Sequence, residues 1–183
     1  MIVIISGTNR PGSNTRKVTT HVDSIYTSHG VPHEVLDLAT LPPEIYSPTS
    51  YAEKPESFKR FTDAILASDG LVVVTPEYNG GIPGILKYFI DMLPFPASFE
   101  NRPVCFVGVS MGMWGALRPI EQLQAIFGYR NAYLFPERVF MPGIGKAIDA
   151  AGKFNHPEYD NRLNDQAVKF VAFVEKLREK KLR

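Results

Sequence analysis

The chain has 183 residues, 44% of them hydrophobic, which suits one globular domain spanning residues 1–183. Its 20 basic and 19 acidic residues leave a formal charge of +1 without long runs of either sign, so binding to nucleic acid or to an anionic membrane surface is not expected. One cysteine excludes an internal disulfide, and no stretch has the length of a membrane span or of a secretory signal, so we expect a soluble, cytoplasmic protein.

Short apolar runs alternate with segments of helical periodicity, a pattern typical of βαβ units around a parallel sheet. The predicted strands are Ile2–Ile5, Val31–Leu38, Leu71–Val74, Val104–Val109 and Ala132–Phe135. Apolar residues at helical spacing predict the helices, with Val18, Val22, Ile25 and Tyr26 in the first, Phe58, Phe61, Ile65 and Leu66 in the second, Pro83 to about Leu93 in the third, Leu117, Ile120, Leu123, Ile126 and Phe127 in the fourth, and Ala167, Phe170, Val171, Val174 and Leu177 in the last.

The composition of these segments predicts their place in the sheet. Leu71–Val74 is continuously apolar and should be a central strand, whereas Pro32 and the charged residues of the second strand favour an edge. Cys105 is expected to pack in the core. Residues 39–55 form a long proline-rich loop of the kind that is usually functional or mobile, and residues 136–156 are the least regular part of the chain.

Three unusual loops follow strands one, three and four, at the sheet edge where open α/β folds bind ligands. The first loop, residues 6–15, reads SGTNRPGSNT and leads into a helix. Its hydroxyl and amide side chains, its backbone N–H groups and Arg10 suit a phosphate monoester. It matches neither a Walker A loop nor the Gly-x-Gly-x-x-Gly dinucleotide fingerprint. Ordinary helix capping by Ser13 or Asn14 would explain the same residues.

The other two loops combine glycines with large side chains. The second loop, residues 76–84, reads PEYNGGIPG and could bring backbone amides and Tyr78 against a flat heteroaromatic ring, although a plain turn would also explain it. The third loop, residues 110–115, reads SMGMWG and suits an apolar pocket wall.

These loops resemble, in order and position, those of the NADPH-dependent FMN reductase family, which includes chromate, quinone and azo-dye reductases. Residues 6–14 resemble the family's Gly-Ser-x-Arg-x-Gly-Ser-x-Asn pattern. Residues 76–79 match its Pro-Glu-Tyr-Asn segment, followed here by Leu86-Lys87 and Ile90-Asp91, and residues 110–115 resemble its third loop. Gly81, Tyr88 and Met92 depart from a frequent serine, a small polar residue and tryptophan, respectively, which affects the expected substrate pocket more than the flavin site.

The resemblance implies a three-layer, flavodoxin-like α/β sandwich with a five-stranded parallel sheet in the order 2-1-3-4-5. It implies FMN as cofactor, hydride supplied by NADPH or NADH, and a small acceptor such as a quinone, an azo compound, a metal oxyanion or free flavin. No obligatory catalytic acid or base is expected, because the chemistry takes place on the flavin. The implied cofactor-binding residues are Ser6, Thr8, Arg10, Ser13, Asn14, Thr15, Pro76, Glu77, Tyr78, Asn79, Gly80, Ser110, Gly112 and Gly115.

The resemblance also implies a homodimer or homotetramer, in which the stretches 41–55 and 94–99 would take part. Two other functions remain open at this point. One is a flavodoxin-type electron carrier without its own nicotinamide site, although such carriers are typically strongly acidic. The other is a Rossmann-type protein that binds NAD through Asp37, a residue more simply explained as a solvated strand end. No bound metal is expected, because the four histidines form no acceptable ligand cluster.

Overall fold

A computed structural model of the chain describes residues 1–181 and consists of a parallel sheet with helices on both faces. The strands are β1 (Ile2–Ser6), β2 (His33–Asp37), β3 (Gly70–Pro76), β4 (Pro103–Val109), β5 (Tyr133–Leu134) and β6 (Val139–Met141). The helices are α1 (Asn14–Ser28), α2 (Lys59–Ala67), α3 (Gly84–Met92), α4 (Leu117–Tyr129), α5 (Ile144–Ala147) and α6 (Pro157–Lys181).

The sheet has the order β2-β1-β3-β4-β5, and every pairing is parallel. This confirms the predicted order and the predicted edge position of β2. All seven residues of β3 are buried between β1 and β4, as expected from its uninterrupted apolar sequence. Because the strands are parallel, β1, β3 and β4 all end at the same sheet edge, where the three loops begin.

Alternating side chains of the strands pack into two separate cores. Val3 and Ile5 of β1 contribute to the core beneath α2, α3 and α4. Ile2 and Ile4 point to the opposite face, where they join the core formed with α1 and α6. Cys105 is fully buried in this second core, as predicted. The helices therefore form layers on both faces, which confirms the three-layer sandwich.

The fifth strand position is split into two short pieces, and the second piece, β6, was not predicted. Phe135 donates its N–H to the Val104 carbonyl at 2.9 Å, but Glu137, the next residue in register to donate toward β4, makes no bond to the Phe106 carbonyl. The buried amide of Gln166 compensates by donating from Nε2 to the Phe106 carbonyl at 3.1 Å. Chain pairing resumes at β6, which lies beside the end of β4.

Two further details differ from the sequence expectations. Leu66 is 40% exposed, because it lies on the outer face of α2. The long segment 39–55 is folded into short 3₁₀ turns, with Ile45 fully buried beneath them.

Among residues 1–181, no helix combines the length and apolarity that crossing a bilayer would require.

Candidate functional site

A cleft of about 550 Å³ opens where the three loops meet at the carboxyl edge of the sheet. All but three of the predicted cofactor-binding residues line it. The exceptions are Ser6, Thr8 and Gly115, which lie behind its walls. The cleft is lined by Arg10, Pro11, Gly12, Ser13, Asn14, Thr15, Pro76, Glu77, Tyr78, Asn79, Gly80, Val109, Ser110, Met111, Gly112 and Ile144.

The first loop places the start of α1 against the cleft. Ser13 is the N-cap of this helix, and its hydroxyl accepts from the Arg16 N–H at 3.1 Å, so capping does explain this side chain. The N–H groups of Asn14 and Thr15 donate to no acceptor among the described residues. Because free amides at a helix start carry partial positive charge, this corner of the cleft is suited to an anion.

Ser6 and Thr8 are buried beneath the first loop. Ser6 is fully buried, and its hydroxyl has no partner within the described part of the chain. Thr8 is 2% exposed and its Oγ1 lies 2.7 Å from the Tyr78 hydroxyl, with which it shares a hydrogen bond. The same Thr8 oxygen accepts from the Arg10 N–H at 3.2 Å. Thr8 therefore joins the first loop to the second.

The second loop forms a small hairpin above the end of β3. Tyr78 and Gly81 exchange two backbone hydrogen bonds of 3.0 Å each. Between them Asn79 and Gly80 have φ values of 50° and 76°, the left-handed conformations of a type I′ turn. Their N–H groups make no bond to the described residues. The hairpin thus offers two backbone donors at the cleft.

Charge in the cleft is unevenly placed. Among the described lining residues, Arg10 is the single cation and Glu77 the single anion. Glu77 is 13% exposed, and its Oε1 lies 3.3 Å from NH1 of Arg118, whose side chain is 56% exposed at the start of α4. Its other oxygen, Oε2, is buried and finds no partner in residues 1–181. Because Glu77 pairs with Arg118, Arg10 is the charged lining residue that can attract an anionic ligand.

The third loop is braced by β6 and the following residues. Ser110 donates its N–H to Met141 and accepts from Ile144 at its carbonyl, at 3.1 Å and 3.0 Å. The Gly112 carbonyl accepts from the Gly143 N–H at 3.2 Å. The irregular segment 136–156, for which the sequence indicated no role, therefore supports the cleft and contributes Ile144 to its wall.

Gly115 acts in packing and does not line the cleft. Its φ is +58°, and a Cβ there would meet Phe140, Met141 and Pro142 at 3.0 Å. The preceding Met113 and Trp114 are 77% and 55% exposed beside the cleft. The third loop is thus fixed at one end and presents large apolar side chains to solvent.

Sequence reasoning missed several lining residues: Pro11, Gly12, Val109, Met111 and Ile144. Pro11, Gly12 and Met111 belong to loops that the sequence singled out, so a whole-loop prediction would have included them. Val109 is the last residue of β4, and its place at the carboxyl end of a strand could have identified it as a lining residue. Ile144 had no signal, because only the pairing of β6 brings it to the cleft.

Tyr88, one of the departures from the family pattern, holds the segment 39–55 in place. Its hydroxyl donates to the Ile45 carbonyl at 2.6 Å, and its ring packs against Tyr46 and Tyr51. Burial raises the pKa of Tyr88, and Tyr51 and Tyr46 raise it further, so its hydroxyl remains a donor. Tyr88 does not line the cleft.

Asp37 does not act as a free ribose acceptor. Its carboxylate accepts from the Ala39 N–H at 3.1 Å and lies 3.3 Å from Arg16. Its side chain is 22% exposed, so it is better described as a half-buried local cap than as a solvated strand end. Among the described residues, no group of histidine, cysteine or acidic side chains could hold a metal ion.

Residues 1–146 match the family model described as NADPH-dependent FMN reductase. The chain belongs to this family. A quinone reductase of Pseudomonas putida is 30% identical over an alignment that covers 96% of this chain and 91% of the relative. An NADPH azoreductase of Bacillus sp. is 27% identical, over 78% of this chain and 77% of the relative.

Solved structures agree with the family assignment. The FerB flavoenzyme, an NAD(P)H:(acceptor) oxidoreductase from Paracoccus denitrificans, has a TM-score of 0.80 and 26% identity, and the match covers 96% of this chain and 97% of FerB. A flavodoxin of Pseudomonas aeruginosa, at 17% identity and a TM-score of 0.57 over 97% of this chain and 98% of the flavodoxin, shares the fold alone. The chain is therefore an FMN reductase family oxidoreductase that depends on NAD(P)H and FMN, as predicted.

Proposed function

We propose that this FMN reductase passes hydride from NADPH or NADH through FMN, bound in the cleft, to a small aromatic acceptor. One observation carries the proposal: the three loops form one cleft that combines an anion-binding corner with two free backbone donors. The cleft volume of about 550 Å³ is within the range of small-molecule sites.

The first loop fits the phosphate of FMN. The free N–H groups of Asn14 and Thr15 would donate to phosphate oxygens, and Arg10 would neutralise their charge. The hydroxyl of Ser13 is already used as the helix cap, so its amide rather than its side chain would be available. Thr8 would hold the loop in shape through its bonds to Tyr78 and to the Arg10 N–H.

The second and third loops fit a flat ring. The N–H groups of Asn79 and Gly80 would face its polar edge, and Gly112 has no side chain to obstruct it. Met111 and Ile144 add apolar surface to the lining. FMN would supply the hydride chemistry, while these residues bind and orient the ring and set the electrostatics around it. Gly115 would contribute only through packing of the third loop.

The acceptor is proposed to be a small quinone or azo compound. Met113 and Trp114 are more than half exposed beside the cleft, and an exposed apolar group at a ligand cleft suits a flat aromatic molecule. The names of the Pseudomonas and Bacillus relatives, a quinone reductase and an azoreductase, support the same class.

An absorption spectrum followed by anaerobic NADPH titration tests this function. The protein loaded with FMN should show the visible flavin bands, lose them when NADPH is added without any other protein, and regain them when a benzoquinone is added. A chain that binds no FMN would exclude the proposal. Flavin that binds but is not bleached by NADH or NADPH would favour an electron carrier.

We further propose a homodimer or homotetramer. The stretches 41–55 and 94–99 expose Tyr46, Tyr51 and Phe95 by 49%, 58% and 60%, and aromatic residues are enriched at protein interfaces. Sedimentation velocity should reveal a species of two or four chains, and a monomer at all concentrations would contradict this.

We also propose a cytoplasmic location. The sole cysteine is buried and makes no disulfide, which supports this location.

A further inference from the structure

Helix α4 holds the second loop through a side chain that the sequence did not single out. Gln122 Oε1 accepts a hydrogen bond of 3.0 Å from the N–H of Ile82, the residue that follows the Tyr78–Gly81 pair. Gln122 does not line the cleft, so it reaches the hairpin from outside. The bond fixes the returning arm of the hairpin to a helix of the scaffold.

Gly81 is shaped by the same contact. Its φ lies outside the left-handed region, so its backbone conformation does not require glycine. A Cβ at this position would, however, lie only 3.2 Å from Gln122 Oε1 and 3.6 Å from Nε2. Glycine at position 81 therefore makes room for the Gln122 amide.

One turn earlier on α4, Arg118 contacts the other arm of the hairpin. Its guanidinium lies 3.3 Å from Glu77, and its Cδ would be 3.9 Å from a Cβ on Gly80. Arg118 and Gln122 thus contact the hairpin before and after the turn that carries the free amides of Asn79 and Gly80. Both side chains are exposed, and the Gln122 contact is the shorter of the two, at 3.0 Å against 3.3 Å.

We propose that Gln122 is a positioning residue for the flavin. By holding Ile82, it sets where the Asn79 and Gly80 amides stand relative to the ring, and through them it adjusts both FMN affinity and the flavin reduction potential. Backbone donors near the ring change its electronics, so a displaced hairpin alters the potential even when the fold is intact. This inference rests on the proposed binding of FMN in the cleft.

The variant Gln122→Ala tests it. We expect the Kd for FMN to rise about fivefold, as for the loss of one neutral hydrogen bond, and the flavin potential to become more negative. In the protein without FMN, hydrogen exchange of the Ile82 amide should quicken while the unfolding temperature stays near that of the wild type. Gln122→Glu keeps an acceptor and should restore protection of the Ile82 amide.

A matched control lies on the same helix. Gln124 bonds Arg138 at 3.1 Å and does not contact the hairpin, so Gln124→Ala should leave FMN affinity and potential unchanged. Gly81→Ala provides a second test, because its added methyl should weaken FMN binding about threefold only when Gln122 is present. In the Gln122→Ala background the same change should have no effect.

The outcomes separate the two proposals. FMN binding by the wild type with unchanged affinity and potential in Gln122→Ala would overturn the positioning role alone. Additive effects of Gly81→Ala and Gln122→Ala would do the same. A wild-type chain that binds no FMN would overturn the proposed function and the positioning role with it.

Discussion

The hydroxyls of Thr8 and Tyr78 share a hydrogen bond of 2.7 Å, although 70 positions separate the two residues in sequence. The bond joins the loop after β1 to the loop after β3, and Thr8 also accepts from the Arg10 N–H. The anion-binding corner and the hairpin are therefore positioned by one shared contact.

Removal of this contact should loosen both loops at once. Tyr78→Phe keeps the ring but deletes the hydroxyl, so we expect a loss of about 1 kcal/mol in the free energy of unfolding and FMN binding weakened about fivefold. Thr8→Val should act similarly, and the double variant should cost less than the sum of the two. Urea unfolding and quenching of FMN fluorescence measure these effects.

Tyr133→Phe provides the control for this prediction. Tyr133 is 38% exposed in β5 and does not line the cleft, so removal of its hydroxyl should change neither stability nor FMN affinity. Fully additive losses in the Thr8 and Tyr78 variants would show that their bond does not couple the loops.

Arg10 should discriminate FMN from riboflavin, which lacks the phosphate. Because Arg10 is the cation of the cleft, Arg10→Ala should weaken FMN binding about tenfold through loss of a charge-assisted hydrogen bond, with riboflavin binding unchanged. Arg16→Ala is the matched control, since Arg16 pairs with Asp37 at 3.3 Å and lies outside the cleft lining. Titration calorimetry with both flavins measures the difference, and equal losses for the two flavins would contradict a phosphate contact.

Much of the fold and the site was predictable because it depends on local sequence. The continuous apolar run of β3 requires burial on both faces, and parallel strands that end at one edge bring their loops together. The turn residues Asn79 and Gly80 have the left-handed conformation that asparagine and glycine tolerate best. Local rules thus located the three loops of the cleft.

What escaped prediction depends on contacts between distant segments. The end of the fifth strand at Phe135 was predictable. The return of the chain to the end of β4 as β6 was not, because it follows from packing that no local pattern records. Ile144 reaches the cleft only through that pairing, and Gln122 reaches Ile82 only because α4 lies alongside the hairpin. Periodicity could place Gln122 on the outer face of a helix, but could not identify what it touches.

Gly115 should be sensitive to substitution for two separable reasons. Gly115→Ala adds a methyl at 3.0 Å from Phe140, Met141 and Pro142, in a residue whose φ is +58°. We expect it to lower the free energy of unfolding by about 2 to 3 kcal/mol, as the sum of left-handed strain and overpacking. Gly143→Ala isolates the strain, because Gly143 has a φ of +59° and nothing within 4 Å of the added methyl.

The glycine comparison is decided by urea unfolding of both variants. Gly143→Ala should cost about 1 kcal/mol, which is the strain alone. If Gly115→Ala costs no more than Gly143→Ala, residues 140–142 accommodate the added methyl, and close packing does not require glycine at position 115.

Stability should decline at alkaline pH because of two buried groups in the second core. Burial raises the pKa of the Cys105 thiol well above its usual range. The pKa of Tyr26 is also raised well above its usual value, mainly by burial and to a smaller extent by the nearby Cys105. In the unfolded chain the thiol loses its proton near its ordinary pKa of about 8.5, while the folded chain keeps it. The unfolded state then binds fewer protons, so the free energy of unfolding falls as pH rises.

The thiol contribution can be isolated between about pH 8.5 and 10, where the cysteine of the unfolded chain titrates before tyrosine does. There the wild type should lose up to about 1.4 kcal/mol of unfolding free energy per pH unit through Cys105. Cys105→Ala removes the titrating group, so its stability should fall less steeply over this interval, whatever the fixed cost of the missing sulfur. Parallel slopes in urea unfolding of the two proteins would mean that Cys105 ionises equally readily in the folded and unfolded chains.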